Sequence, residues 1–232
     1  MVTLAIIPSI ILIVIILRAD KIEKEPMSLL VRLFLFGALT TVSAMLIGSA
    51  GTEIIAVLFE GGTLVYAFVD NFIVTALVEE GGKYFVLKKT TWKHPAFNYT
   101  FDAVVYAVCA SLGFATLENI LYLADASVGT AFARGILSVP GHFIDAVFMG
   151  YYYGSAKIAS TDGNEQTSKQ FRRRALIVPV LLHGFYDFCL STEYDIFLVV
   201  FFIFEIVITV AAVKRLKKLS KEDRAISNEN DW

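Results

Sequence analysis

The sequence predicts an all-α fold: a polytopic membrane helix bundle of about seven transmembrane helices, N-terminus outside and C-terminus cytoplasmic. Three observations predict it. Hydrophobic residues make up 56% of the 232 and charged residues only 18%, with a mean hydropathy of +0.66, a balance foreign to soluble domains. The apolar residues fall into runs of roughly the length that crosses a bilayer. The basic residues are concentrated in every second connection, the pattern of cytoplasmic loops.

Run 2–17 is followed, not preceded, by charge (Arg18, Asp20, Lys21) and has no small-residue cleavage site, so it reads as an uncleaved span. A charged connection, 20–26, leads to the second span, 29–50. Connection 51–62 carries Glu53 and Glu60 but no lysine or arginine. The third span, 63–87, ends at Lys88 and Lys89 and opens into a basic loop with Lys93, His94 and Pro95. Spans four (101–123) and five (131–156) flank a short turn whose charge is Asp125. Stretch 157–174 is polar, with Asp162-Gly163-Asn164 turn chemistry and a cluster of Arg172, Arg173 and Arg174. Spans six (175–191) and seven (196–213) are separated by Glu193 and Asp195, and 214–232 is a polar cytoplasmic tail beyond a single membrane domain, 1–213. Among the connections without a basic cluster, the exception is Arg134, at the outer end of the fifth span.

A net charge of −2, with no basic run interleaved with aromatics, argues against nucleic-acid binding. Cys109 and Cys189 lie inside apolar runs and read as buried thiols, not a disulfide. The chain has no GxSxG, HExxH, zinc-finger spacing or phosphate-binding glycine loop.

Ionisable residues do occur inside the spans, where each costs roughly 2.5–3.5 kcal/mol at the bilayer centre unless it faces protein or water. In the third span, Glu79, Glu80 and Lys83 share a helix face about 100° wide. One lysine cannot neutralise two glutamates; the set reads either as a structural ion pair beside a protonated carboxyl or as acid–base machinery. Span four contains Phe114, Glu118 and Asn119, with Phe114 one turn before Glu118 on nearly the same face. Span five carries His142 and Asp145, three apart, before the run Gly150-Tyr151-Tyr152-Tyr153-Gly154; span six carries His183 and Asp187, four apart. In both, the carboxylate can orient an imidazole, or the pair can be a satisfied structural one. His94 reads as a surface residue.

Four pieces in order, Glu79-Glu80-x-x-Lys83, Phe114-x-x-x-Glu118-Asn119, His142 with its glycine-tyrosine run, and His183-Gly-x-x-Asp187, resemble the PrsW family of bacterial membrane proteases, which is grouped with the CAAX prenyl proteases. The likeness covers 63–191. It implies a glutamate-dependent endopeptidase of the bacterial cytoplasmic membrane, cutting membrane-associated proteins such as a single-span anti-sigma factor. It also implies Glu79, Glu80, Glu118, His142 and His183 as the core polar groups, with Lys83, Asn119, Asp145, Asp187 and Phe114 in support. Glu118 stands where the CAAX prenyl proteases have a histidine, which argues against prenylated substrates.

Two mechanisms fit these residues. In one, Glu79 or Glu80 activates a water and no cofactor is required. In the other, zinc is held by Glu80, Glu118, His142 and His183. An ion-coupled transporter or channel, or a non-catalytic scaffold, would keep the same residue types inward, although no internal repeat relates the two halves. At 1.5 Å per residue, Glu80 is about 12 Å from Lys88 and His183 about 13 Å from Arg174, but His142 is about 22 Å from Lys157 and Glu118 about 22 Å from Ala103. The motifs are therefore expected in two layers about 10 Å apart, which tilt, a broken helix or long side chains must close.

Overall fold

The computed structural model describes residues 2–122, 128–192 and 194–226, and among these the chain is all-helical with seven helices. They are α1 (Val2–Ala19), α2 (Met27–Leu58), α3, α4 (Asp102–Tyr122), α5 (Val128–Thr161), α6 (Glu165–Ser191) and α7 (Asp195–Lys221). Helix α3 is continuous but changes pitch: Leu64–Phe68 is α-helical, Val69–Ala76 is π-helical, and Leu77–Thr91 is α-helical again. Asp125, Glu193 and the side chain of Arg134 lie outside the described residues.

Among the described residues, four helices (α2, α4, α6 and α7) are long and apolar enough to cross a membrane, and Ile6–Ala19 is a shorter apolar one. Several helices outrun the predicted spans because hydropathy marks where apolar sequence stops, whereas caps mark where the helix stops. Stretch 165–174, read as part of a polar connection, forms the first turns of α6. The break is confined to the predicted turn, where Gly163 takes a positive φ of 75° and the Asn164 side chain accepts from Thr167 N at 3.1 Å. Helix α7 likewise continues through Lys221 into the predicted tail.

Helix α4 is the axis of the bundle. From Asp102 to Thr116 every residue is buried, with α2 packed on one side and α5 on the other. Close approach depends on missing side chains: a Cβ on Gly37 would lie 2.0 Å from the Ala110 carbonyl oxygen, and one on Gly113 would lie 2.0 Å from that of Phe34. Gly113→Ala should therefore destabilise by about 3 kcal/mol. Gly81→Ala, with nothing within 4 Å of the new methyl, should stay within about 1 kcal/mol of wild type. Reversible unfolding in detergent micelles reads both. The outer faces carry the reverse pattern: Leu35, Leu39 and Leu46 of α2 and Val199, Ile203 and Ile206 of α7 are exposed, as lipid-facing residues are. Cys109 and Cys189 are free and buried, as expected.

At the other end from the α2–α3 turn, the segment after α7 straps the α3–α4 connection. Asp223 Oδ1 accepts from Thr100 Oγ1 and from Phe101 N, both at 2.9 Å, and Ile226 N donates to Asn98 O at 2.7 Å. Nearby, the Tyr106 hydroxyl lies between the Glu25 carboxylate and the Ala96 carbonyl. Burial pushes the Glu25 carboxyl above its ordinary range; its hydrogen bonds with Tyr106 and Asp102 work against that, and Asp20 and Glu23 reinforce it. The folded state thus favours the protonated form, so this contribution to stability is present at acid pH and is lost as pH rises through the folded-state pKa. Glu25→Gln should flatten the decline in melting temperature as pH rises above the ordinary glutamate pKa of 4.5 in detergent. An unchanged slope would show that Glu25 does not titrate in this way.

Candidate active site

The polar motifs meet, although the depth estimate separated them. Depth counted from the charged helix ends treats Lys88 and Lys157 as level. In the structure Thr91 and Tyr153 are level, their hydroxyls 2.9 Å apart, while Lys157 reaches the Trp92 carbonyl at 3.0 Å. Glu80 lies eleven positions before Thr91 and His142 eleven before Tyr153, so at 1.5 Å per residue both sit about 16 Å from that hydrogen bond. Glu118 is further along α4, but side chains lean toward their helix N-terminus, and this brings its carboxylate back to His142.

Helix α6 approaches α3 at the π-helical stretch. A Cβ on Gly184 would lie 2.5 Å from Phe72 Cδ1, so the glycine after His183 lets the helices close up there. Asn71, in the same stretch, donates to Ser191 Oγ at 2.7 Å. Wide π turns recur at functional positions because they offset the helix faces on either side. Here the offset comes directly before Glu79 and Glu80.

Lys83 is fully buried between the motifs. Its ammonium is 2.6 Å from Glu80 Oε1, 3.5 Å from Glu79 Oε2 and 3.0 Å from His142 Nδ1, and it sits 4.0 Å from the centroid of the Phe114 ring. An ammonium only donates, so His142 Nδ1 must accept. The neutral imidazole then carries its proton on Nε2 and donates to Glu118 Oε2 at 3.2 Å. His183 is flanked by carboxylates: Nδ1 lies 2.9 Å from Glu80 and 3.9 Å from Asp145, and Nε2 lies 3.1 Å from Asp187 and 3.8 Å from Glu79. It can pass a proton to either side. The two imidazole rings are 5.2 Å apart between centroids. Phe114 also packs edge-on against His142, and Asn119 is buried beside Glu118 in α4.

The two glutamates are not equivalent. Glu80 is 1% exposed and lies behind the wall, held by Lys83 and His183. Glu79 lines a cavity of about 260 Å³ together with Glu118, His142, Asp145, His183 and Asp187. A second cavity, of about 450 Å³, lies against α2 and meets the first at Thr75, Glu79, Glu118 and Tyr122. The sequence reading missed Glu205, a carboxylate of α7 that lines the first cavity. Its signal was a lone glutamate in the apolar run 196–213.

Glu79, Glu80, His142 and His183 each offer one ligand atom within 4.8 Å of the others. Two imidazoles with carboxylates are a donor set zinc accepts, so the residues fit such a metal. This set has Glu79 where the sequence reading placed Glu118. Glu118 instead hydrogen-bonds Nε2 of His142, which leaves Nδ1 as the ligand atom; an ion bound there would displace the Lys83 ammonium that Nδ1 now accepts from.

A family model described as "PrsW family intramembrane metalloprotease" matches residues 25–213. Relatives share much of the length. Protease PrsW of Clostridioides difficile (strain 630) is 32% identical over 228 residues, covering 96% of this chain and 92% of that protein. Protease PrsW of Halalkalibacterium halodurans is 34% identical over 222 residues, 96% of this chain and 98% of that one. Protease PrsW of Geobacillus kaustophilus is 37% identical over 174 residues, 75% and 72% of the two chains. No solved structure matches. The matched span contains every helix that contributes to the glutamate–histidine cluster, and the chain accordingly belongs to the PrsW family of intramembrane proteases.

Proposed function

We propose that this protease hydrolyses peptide bonds of membrane-associated proteins, a single-span anti-sigma factor being the type of substrate, in the bacterial cytoplasmic membrane. Its seven helices would all span, with the N-terminus outside and the C-terminus in the cytoplasm, as the basic connections require. The observation that carries the reading is the convergence of Glu79, Glu80, His142 and His183, all but Glu80 lining a cavity inside a membrane-embedded bundle.

Glu79 is the base. It is the glutamate of the pair that faces the cavity, so it can take a proton from the water that attacks the scissile carbonyl. Glu80 holds Lys83 and His183 in register. His183, with Asp187 on its other nitrogen, donates the proton that the leaving amine needs as the C–N bond breaks. His183 lines the cavity as a donor toward the developing oxyanion, while the Nε2 proton of His142 is held by Glu118. A zinc ion, when bound, would be held by Glu79, Glu80, His142 and His183 and would supply Lewis acidity.

The test is cleavage of a tagged single-span substrate in proteoliposomes by wild type and by Glu79→Gln, Glu80→Gln and His183→Ala, each shown to be folded. Cleavage by wild type and not by the variants is expected. Failure of wild type on a panel of single-span substrates would overturn the reading. Loss of wild-type activity with a zinc chelator, restored by zinc, would assign the metal; activity indifferent to the chelator would assign glutamate-activated water alone.

A further inference from the structure

Glu205 has no part in the proposed chemistry. It lies about 15 Å along α7 from Asp195 and about 14 Å from Lys214, near the middle of the most apolar span. A carboxylate at that depth is costly and needs a reason. Helix α7 docks on α6 through Phe185 against Phe204 (ring centroids 4.8 Å apart) and Tyr186 against Phe201 (5.0 Å). This sets Glu205 on the wall of the cavity that Glu79 and His183 line.

The other carboxylates of that cavity are matched by cations or imidazoles of the protein: Glu79 by Lys83 and His183, Glu118 by His142, and Asp145 and Asp187 by His183. Glu205 has no hydrogen-bond or ion-pair partner among the described residues. Were it only joining helices, it would meet a donor on the neighbouring helix, and among the described residues it meets none. The cavity lining also includes the apolar Ile144, Leu182, Leu190, Phe204 and Ile208. A cavity with apolar lining and a carboxylate unmatched among the described residues suits a long side chain with an apolar stem and a cationic head.

We propose that Glu205 determines specificity by receiving a lysine or arginine side chain of the substrate close to the scissile bond. This rests on the protease reading above. A peptide N–H would be served as well by a neutral acceptor. A carboxylate without a counter-charge among the described residues is better matched by a charge on the ligand.

The test uses full-length enzyme in proteoliposomes and a single-span peptide carrying Lys, Gln or Glu at successive positions around the cleaved bond. For wild type, kcat/KM should be at least about tenfold higher with Lys than with Gln at one position, mainly through KM. Glu205→Gln should abolish that preference, Glu205→Asp should keep part of it, and Glu205→Lys should shift it toward the Glu peptide. Wild-type enzyme that cuts the peptides without preference would overturn this proposal alone, as would a Glu205→Gln variant that keeps the preference. Wild-type enzyme that cuts none of them would overturn the protease reading, and this one with it.

Discussion

Glu79→Gln should lower kcat for substrate cleavage by about 10³-fold while the melting temperature in detergent stays within about 2 °C of wild type. Glutamine keeps the shape of the side chain and can still touch Lys83, but it cannot accept a proton from water. Because Glu79 faces the cavity, its amide remains solvated and little stability is lost. Glu80→Gln should behave differently. That side chain is buried, and one oxygen serves both Lys83 and His183, so the amide would strand an ammonium and tilt an imidazole. Activity and stability should fall together. Paired turnover and unfolding measurements on the two variants separate the roles. A Glu79→Gln enzyme with near-normal kcat would exchange the assignments.

Much of this was legible in the sequence, because a membrane chain advertises what does not belong in lipid. Glu79, Glu80, Lys83, Glu118, His142 and His183 could be picked out as ionisable groups in apolar runs, and their helical spacings placed each set on one face. Which atoms meet could not be read there. The two-layer estimate measured depth from charged residues taken as level markers, whereas α5 and α3 are levelled by the Thr91–Tyr153 hydrogen bond. The unequal surroundings of Glu79 and Glu80 depend on which side of Lys83 the cavity opens, and the π turns that offset α3 leave no mark in hydropathy. Glu205 has no charged partner at helical spacing in the sequence; what marks it out is the cavity it lines.

Lys83→Met should destabilise the protein by about 3–5 kcal/mol and abolish cleavage, the largest stability effect expected in the bundle. The lysine is fully buried and its ammonium is the cation nearest Glu80. Methionine fills similar space, so the loss is electrostatic: a carboxylate stays buried without its counter-ion, and His142 Nδ1 loses its donor. The double variant Lys83→Met with Glu80→Gln removes the stranded charge along with the lysine. It should recover most of the stability and none of the activity. A scaffold role alone would make activity return with stability in the double variant. Unfolding in detergent and turnover in proteoliposomes, measured on the same four proteins of the cycle, decide between a charge pair that merely holds helices and one that positions Glu80 and His183 for catalysis.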